Sequence, residues 1–150
     1  MYSEYTPENY DAMVKLLGEE IELNYKLYKM SLEAPMPFFC DAPVLKGDQL
    51  VFEWDPSLDL DGQDVTYTFE LCRDYLCQDV IVKQEGLNFP TAATSILKPG
   101  KYFFRVSATN EDGKTQVAFP YYVVNSKKYY GVQSFYVLDD GTVELEQVYE

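Results

Sequence analysis

Residues 54–71, WDPSLDLDGQDVTYTFEL, decide the fold of this chain. They begin at the only tryptophan of the chain, pass through an acidic turn and enter a strand that is rich in aromatic residues. Every second position is apolar on both sides of the turn: Leu50, Phe52 and Trp54 before it, and Tyr67, Phe69 and Leu71 after it. This period of two is typical of strands that bury one face. The stretch therefore predicts two neighbouring strands of an antiparallel sheet.

The same pattern of short alternating segments extends over residues 35–125. A corner at 97–100, LKPG, precedes the best-patterned strand, in which Tyr102, Phe104, Val106 and Ala108 point to one side. Pro120 introduces a last strand, 121–124, because a proline is tolerated at a strand start or on a sheet edge. We expect an all-β domain, a seven-strand antiparallel sandwich.

Residues 1–34 predict one long helix. Thr6 is a good N-cap before Pro7 at the first helical position, and apolar residues follow at spacings of three and four until Pro35 ends the pattern. A second apolar row contains Leu16 and Leu23, so the helix is apolar on more than one side. One side is expected to pack on the sandwich and the other on an upstream domain. The alternative, that both sides pack on this chain, stays open.

Residues 126–150 predict a tail with a β-hairpin. Alternating aromatic and apolar residues lead to Asp139, Asp140 and Gly141, and a second alternating segment follows this turn. A short hairpin is marginally stable alone, so it should pack on the helix or on the sandwich.

Composition excludes several classes of function. The chain has 25 acids, 12 bases and a net charge of −13, which excludes nucleic acid as a partner because a phosphate backbone needs a basic surface. Histidine is absent, so Ser-His-Asp catalysis and the usual zinc sites lack their central residue. No apolar run is long enough to insert in a membrane. We predict that the protein is not an enzyme, and is either cytoplasmic or part of a longer secreted chain with an upstream signal.

Calcium is the one cofactor that the sequence suggests. Four carboxylates share the turn after the tryptophan: Asp55, Asp59, Asp61 and Asp64. Oxygen ligands of this kind bind hard cations, but Ser57 and Thr68 occupy the first and last ligand positions of the twelve-residue calcium loop. The acids are better explained as turn-forming residues beside Gly62. We therefore expect no cofactor.

The cysteines are relevant to the cellular compartment of the protein. Cys72 and Cys77 flank a turn, so in a hairpin they would face each other at disulfide distance if the register allows it. Cys40, beside Phe38 and Phe39, is expected to be a buried free thiol.

Surface aromatic residues are the remaining candidates for binding. Phe103 alternates with the core residues of its strand and should point away from them. The other candidates for an interaction surface are Tyr75, Tyr121, Tyr129 and Tyr130. The alternative for Phe103, which we favour, is that the N-terminal helix covers it.

Two segments resemble bacterial fibronectin type III domains. Residues 54–71 resemble the segment from the second to the third strand of that family, and 97–115, LKPGKYFFRVSATNEDGKT, are similar to its Leu-x-Pro-Gly corner, following strand and Asn-x-x-Gly turn. The resemblance implies an immunoglobulin-like sandwich of three strands on four, with Trp54 central in the core and Tyr102 near the corner. The corner is one residue shorter than the commonest form, so the hydrogen bond of Tyr102 stays open.

The order of helix, sandwich and aromatic tail resembles, more distantly, the C-terminal part of bacterial surface proteins that carry a spore-coat-H-like kinase domain. No kinase motif is present here. The resemblances imply a non-catalytic spacer or protein-interaction module of a larger extracellular or cell-surface protein. Its partner would be the upstream domain of the same polypeptide or another protein. The alternative is a carbohydrate-binding module that stacks exposed aromatic side chains on a polysaccharide.

Overall fold

The chain divides into two compact units, Met1–Glu33 and Ala34–Glu150. A computed structural model describes residues 14–23 and 34–146. In the first unit, 14–23 are helical and exposed, which is part of the predicted helix. The predicted helix start at Thr6 and the turns after residue 23 lie outside the described residues. None of the described helical residues belongs to a segment with the length and apolarity that crossing a bilayer requires.

The second unit consists of antiparallel β-strands. Its described strands are β1 (Val44–Lys46), β2 (Gln49–Glu53), β3 (Thr66–Cys72), β4 (Val80–Leu87), β5 (Thr91–Ser95), β6 (Gly100–Thr109), β7 (Thr115–Val117), β8 (Tyr121–Val124), β9 (Lys127–Tyr130), β10 (Val132–Val137) and β11 (Val143–Leu145). One sheet has the order β1-β2-β5, and the larger sheet has the order β11-β10-β6-β3-β4 with β7 also paired to β6. Strands β8 and β9 form a separate hairpin.

The core lies between the two sheets. Phe52 of the smaller sheet contacts three rings of the larger one, with centroid distances of 4.6 Å to Phe69, 5.2 Å to Phe104 and 5.7 Å to Phe135. Trp54 is buried beside Phe69, as predicted. Each aromatic side chain that is buried in this way stabilises the fold by roughly 1.5–3 kcal/mol. Side chains from both sheets thus interdigitate, and the unit is an all-β sandwich.

The last strand of the sandwich is split in two. β7 pairs with the end of β6, from Ser107 to Thr109, and β10 pairs with its beginning, from Gly100 to Arg105. The β8–β9 hairpin is inserted between these halves. The prediction that 121–124 is a sandwich strand is therefore wrong. Residues 121–124 do form a strand, as their alternation indicates, but this strand pairs with β9 and not with a strand of the sandwich sheets.

The turn before β11 is confirmed. Asp140 accepts hydrogen bonds from the amide and hydroxyl of Thr142, and Gly141 has a φ of 87°, which favours glycine. However, the sheet continues through this hairpin, because β10 pairs with β6 on one side and with β11 on the other. The predicted boundary between residues 125 and 126 therefore falls inside one unit, and the larger sheet has six described strands where the resemblance implied four.

Candidate functional site

In the acidic turn, residues 55–64, Asp59 accepts hydrogen bonds from other residues of the chain. Asp59 accepts hydrogen bonds from the amide nitrogens of Asp61 at 2.8 Å and Gln63 at 3.4 Å, and from Asn110 Nδ2 at 2.8 Å. The bond from Asn110 is the main reason why the pKa of Asp59 lies below its ordinary value. Among residues 14–23 and 34–146, no three acids, cysteines or histidines are grouped in a way that could hold a metal ion. Asp59 thus joins its own turn to the turn that begins at Asn110.

Cys72 and Cys77 lie close together, but not as cross-strand partners. Cys72 is paired in the sheet with Val80 and Phe103, whereas Cys77 lies in the turn with a φ of 54°. Both thiols are buried and free, and they interact through a side-chain hydrogen bond. Burial raises the pKa of each. The expectation that they face each other across the ladder is wrong, because the strand pair ends before Cys77. Their oxidation stays a prediction.

Cys40 is a free thiol packed against the core, but it is only half-buried, so its expected burial is confirmed only in part. Its backbone forms an isolated antiparallel β-bridge with Trp54. Burial, with smaller effects of Asp41 and Asp55, raises the pKa of the thiol to about 12. Such a thiol is scarcely ionised at neutral pH.

Phe103 is not exposed, although it points away from the main core as predicted. It is 7% exposed because rings from the same unit cover it, in what we call the aromatic cluster: Phe103, Tyr75, Tyr122 and Tyr129. Tyr122 meets Phe103 edge to face with centroids 5.2 Å apart, and Tyr75 lies 5.1 Å from Tyr129. The prediction of Phe103 as a surface binding residue is wrong. Tyr75 and Tyr129 are half-buried and belong to the packing that attaches the β8–β9 hairpin to the sheet.

Lys101 attaches the β8–β9 hairpin to the sheet through polar contacts. Its Nζ donates to the hydroxyl of Tyr122 at 2.8 Å and lies 2.9 Å from Oε2 of Glu146. Burial alone would lower the pKa of Lys101, but these two contacts raise it. The pKa of Glu146 is shifted in the opposite direction. Burial would raise this pKa, but the contacts with Ser134 and Lys101 lower it. Both groups are therefore charged at neutral pH.

A groove of about 280 Å³ lies beside the base of the hairpin. We use "the groove" for the space lined by Phe39, Phe119, Pro120, Tyr121, Gln133, Ser134 and Glu146. Its rim is aromatic: Phe39 is 56% exposed and Phe119 is 52% exposed, with ring centroids 5.2 Å apart and planes tilted by 52°. The amide of Phe119 donates to the carbonyl of Phe38 at 2.7 Å, which holds the two rings side by side.

The polar lining of the groove consists of Gln133, Ser134 and Glu146. Gln133 Oε1 is buried and accepts no hydrogen bond from the described residues. Ser134 donates its hydroxyl to Oε2 of Glu146, which also meets Lys101. An unpaired buried acceptor of this kind costs about 1–3 kcal/mol.

The sequence predictions identified part of this surface. Tyr121 lines the groove, and Tyr130, at 54% exposed, contacts Tyr121 with a centroid distance of 5.6 Å. Phe119 and Gln133 were missed, because they become neighbours only where the split strand leaves and rejoins the sheet. Pro120 directly after an apolar strand was the available signal for this break.

Comparisons with known proteins identify no family for the chain. No protein-family model matches it, and no curated protein matches it. Among solved structures it is similar to a chain described as "Structure of FN3tt mut", with 20% sequence identity and a TM-score of 0.36. That alignment covers 57% of this chain and 90% of the other.

Proposed function

We propose that this chain is a fibronectin type III-like, non-catalytic interaction module of a larger bacterial extracellular or cell-surface protein. Without the added hairpins, its sheets have three strands, β1-β2-β5, and four, β4-β3-β6 and the split last strand, as in that family. The hydroxyl of Tyr102 donates to the carbonyl of Lys98 at 2.7 Å, which corresponds to the tyrosine corner of immunoglobulin-like sandwiches.

The aromatic rim of the groove is the observation that carries the proposed interaction role. Phe39, Phe119 and Tyr130 each expose more than half of their surface, and Tyr121 lies with them in one region beside the groove. Single exposed apolar side chains are common, but neighbouring ones mark binding surfaces. Aromatic residues are also enriched among the few side chains that dominate binding energy at protein interfaces. The proposed partner is another protein or the upstream domain of the same polypeptide.

A carbohydrate-binding module is the second candidate. The combination of aromatic rim and polar lining in the groove favours it. The 52° tilt between Phe39 and Phe119 counts against it, because a polysaccharide stacks best on rings that share a plane.

Site-specific photocrosslinking tests the interaction role. A benzoylphenylalanine placed at position 119 of the full-length protein, in the cells that produce it, should form a covalent adduct with one defined polypeptide segment. Position 89 is the matched control, because Phe89 is 73% exposed but lies between β4 and β5 and does not line the groove. Equal adducts at both positions, or none at 119, would contradict the proposal. A glycan array with wild type and Phe119→Ala tests the carbohydrate alternative.

A further inference from the structure

Cys72 and Cys77 are two buried thiols that lie in contact on either side of a hydrogen-bonded turn. Cys72 ends β3 and is paired with β4 and β6, whereas Cys77 lies in the turn that follows. The carbonyl of Asp74 accepts a hydrogen bond from the amide of Cys77 at 3.2 Å. The carboxylate of Asp74 accepts from the amides of Gln78 and Asp79 at 3.0 Å and 2.8 Å. The turn is therefore ordered by its own hydrogen bonds, and it brings the second sulfur back to the first.

The backbone of Cys77 is strained. Its φ of 54° lies in the left-handed region, which is unfavourable for an L-residue and which glycine adopts freely. Its side chain is only 7% exposed and packs in one cluster with Cys72, Phe103 and Val132. Residues with a strained backbone cluster at functional sites. A side chain is thus kept at a position where glycine would be less strained, which points to a role for the thiol.

We infer that Cys72 and Cys77 form a thiol–disulfide exchange site that reacts through Cys77, and that its closure holds the turn, with Tyr75, against the β8–β9 hairpin. This inference goes beyond the proposed function and does not depend on it. The co-reactant is a low-molecular-weight disulfide such as glutathione disulfide. The thiolate of Cys77 attacks one of its sulfurs and displaces a thiolate, and the thiolate of Cys72 then attacks Sγ of Cys77 and displaces the second. One disulfide forms in the protein while the co-reactant is reduced to two thiols, which take up the two protons.

Cys77 reacts first because it is the more accessible of the two and its thiolate is the better stabilised. Cys72 is fully buried in a paired strand, whereas Cys77 lies in the turn and keeps some exposure. Burial raises the pKa of both thiols. At Cys77 the contact with Cys72 and the charge of Arg105 lower the pKa, against smaller effects of Glu70 and Asp74. At Cys72 the contact with Cys77 adds to the rise. Since the thiolate is the nucleophile, the first attack belongs to Cys77.

Tyr75 connects the thiol pair to the hairpin. It lies in the turn between the two cysteines, and its ring centroid is 5.1 Å from that of Tyr129 and 6.1 Å from that of Tyr122. Both of these partners belong to the β8–β9 hairpin. A disulfide restricts the chain that it closes, so a bond across this turn limits the motion of Tyr75 and stabilises its two ring contacts. Closing the thiol pair should therefore make opening of the hairpin rarer.

Thiol trapping with glutathione disulfide tests the order of reaction. In Cys72→Ala, glutathione should attach to Cys77 as a stable mixed disulfide. In Cys77→Ala, attachment to Cys72 should be at least about tenfold slower, because burial and a raised pKa both lower the rate. Peptide mapping identifies the site, and the fluorescence of Trp54 checks that each variant is folded. In wild type the mixed disulfide at Cys77 should disappear as the bond to Cys72 forms. Faster labelling of Cys72, or a mixed disulfide at Cys77 that persists in wild type, would overturn the assigned order.

Amide hydrogen exchange of the wild-type chain, reduced and oxidised, tests the connection to the hairpin and needs no substitution. The amides of residues 121–130 should exchange about tenfold more slowly in the oxidised chain, which corresponds to about 1.4 kcal/mol. In Tyr75→Ala the ring contacts are lost, so oxidation should leave the exchange of these amides unchanged. Tyr75→Phe is the matched control, because it keeps the ring and should keep the full effect.

Three results would overturn the exchange site or its connection to the hairpin. Failure of the Cys72–Cys77 bond to form at any ratio of oxidised to reduced glutathione rejects the site itself. Equal exchange of residues 121–130 in both states, or a slowing that survives in Tyr75→Ala, rejects the role of Tyr75. None of these measurements involves the groove, so crosslinking at position 119 succeeds or fails independently of them.

Discussion

Gly131 occupies the point at which the split strand rejoins the sheet, and its replacement by alanine should destabilise the sandwich strongly. Its φ is 83°, and an added Cβ would lie 2.7 Å from Cβ of Val117, the last residue before the chain leaves the sheet. The left-handed backbone costs roughly 1–2 kcal/mol for an L-residue. Overpacking against Val117 costs roughly 1–3 kcal/mol more, so Gly131→Ala should lose about 2–5 kcal/mol.

Gly113→Ala isolates the contribution of the close approach. Gly113 has a φ of 80°, and an added Cβ would meet nothing within 4 Å, so this variant should lose only the backbone term of roughly 1–2 kcal/mol. Urea denaturation followed by the fluorescence of Trp54, which is 4% exposed, measures both free energies of unfolding. Equal losses in the two variants would refute the packing of Gly131 against Val117, and with it the described path of the insertion.

Three further predictions concern other parts of the sandwich. Phe103→Ala should lose about 3–5 kcal/mol in urea denaturation, because its ring is buried, whereas Phe89→Ala should lose almost nothing. Oxidation should link Cys72 to Cys77, seen as one linked peptide in non-reducing mass mapping, with a stability gain of about 2 kcal/mol; cross-links between chains would contradict this. Hydrogen bonds lower the pKa of Asp59, so its contribution to stability is complete above the unfolded pKa of about 4 and is lost as the pH falls through the folded pKa. Asp59→Asn should therefore flatten the acid limb of the stability curve, and an unchanged limb would contradict the assigned hydrogen bonds.

The sandwich core could be predicted from the sequence because each core strand buries alternate residues. Phe52, Phe69 and Phe104 are inside, as the period of two requires. The same rule correctly pointed Phe103 to the opposite face. It could not show that this face is covered, because burial there depends on Tyr122 and Tyr129, which are brought back by the inserted hairpin.

The groove could not be predicted because its residues are brought together by chain topology. Phe39 precedes the first strand, Phe119 follows β7, and Gln133 and Glu146 belong to or follow the last hairpin. None of these positions has a local pattern that differs from ordinary strand or loop sequence. The surface tyrosines were proposed on composition alone, and only Tyr130 of the four named as interaction residues is largely exposed.

The sequence by itself determined the all-β class, the buried face of each main strand, the turn at Asp140 and the exclusion of histidine chemistry. These properties depend on neighbouring residues or on composition, so they are local. The tertiary structure alone decided that the last strand is interrupted, that other rings cover Phe103, and that two exposed rings, Phe39 and Phe119, line one groove. Those properties depend on pairing between strands far apart in sequence, and a period of two is the same whichever partner a strand takes.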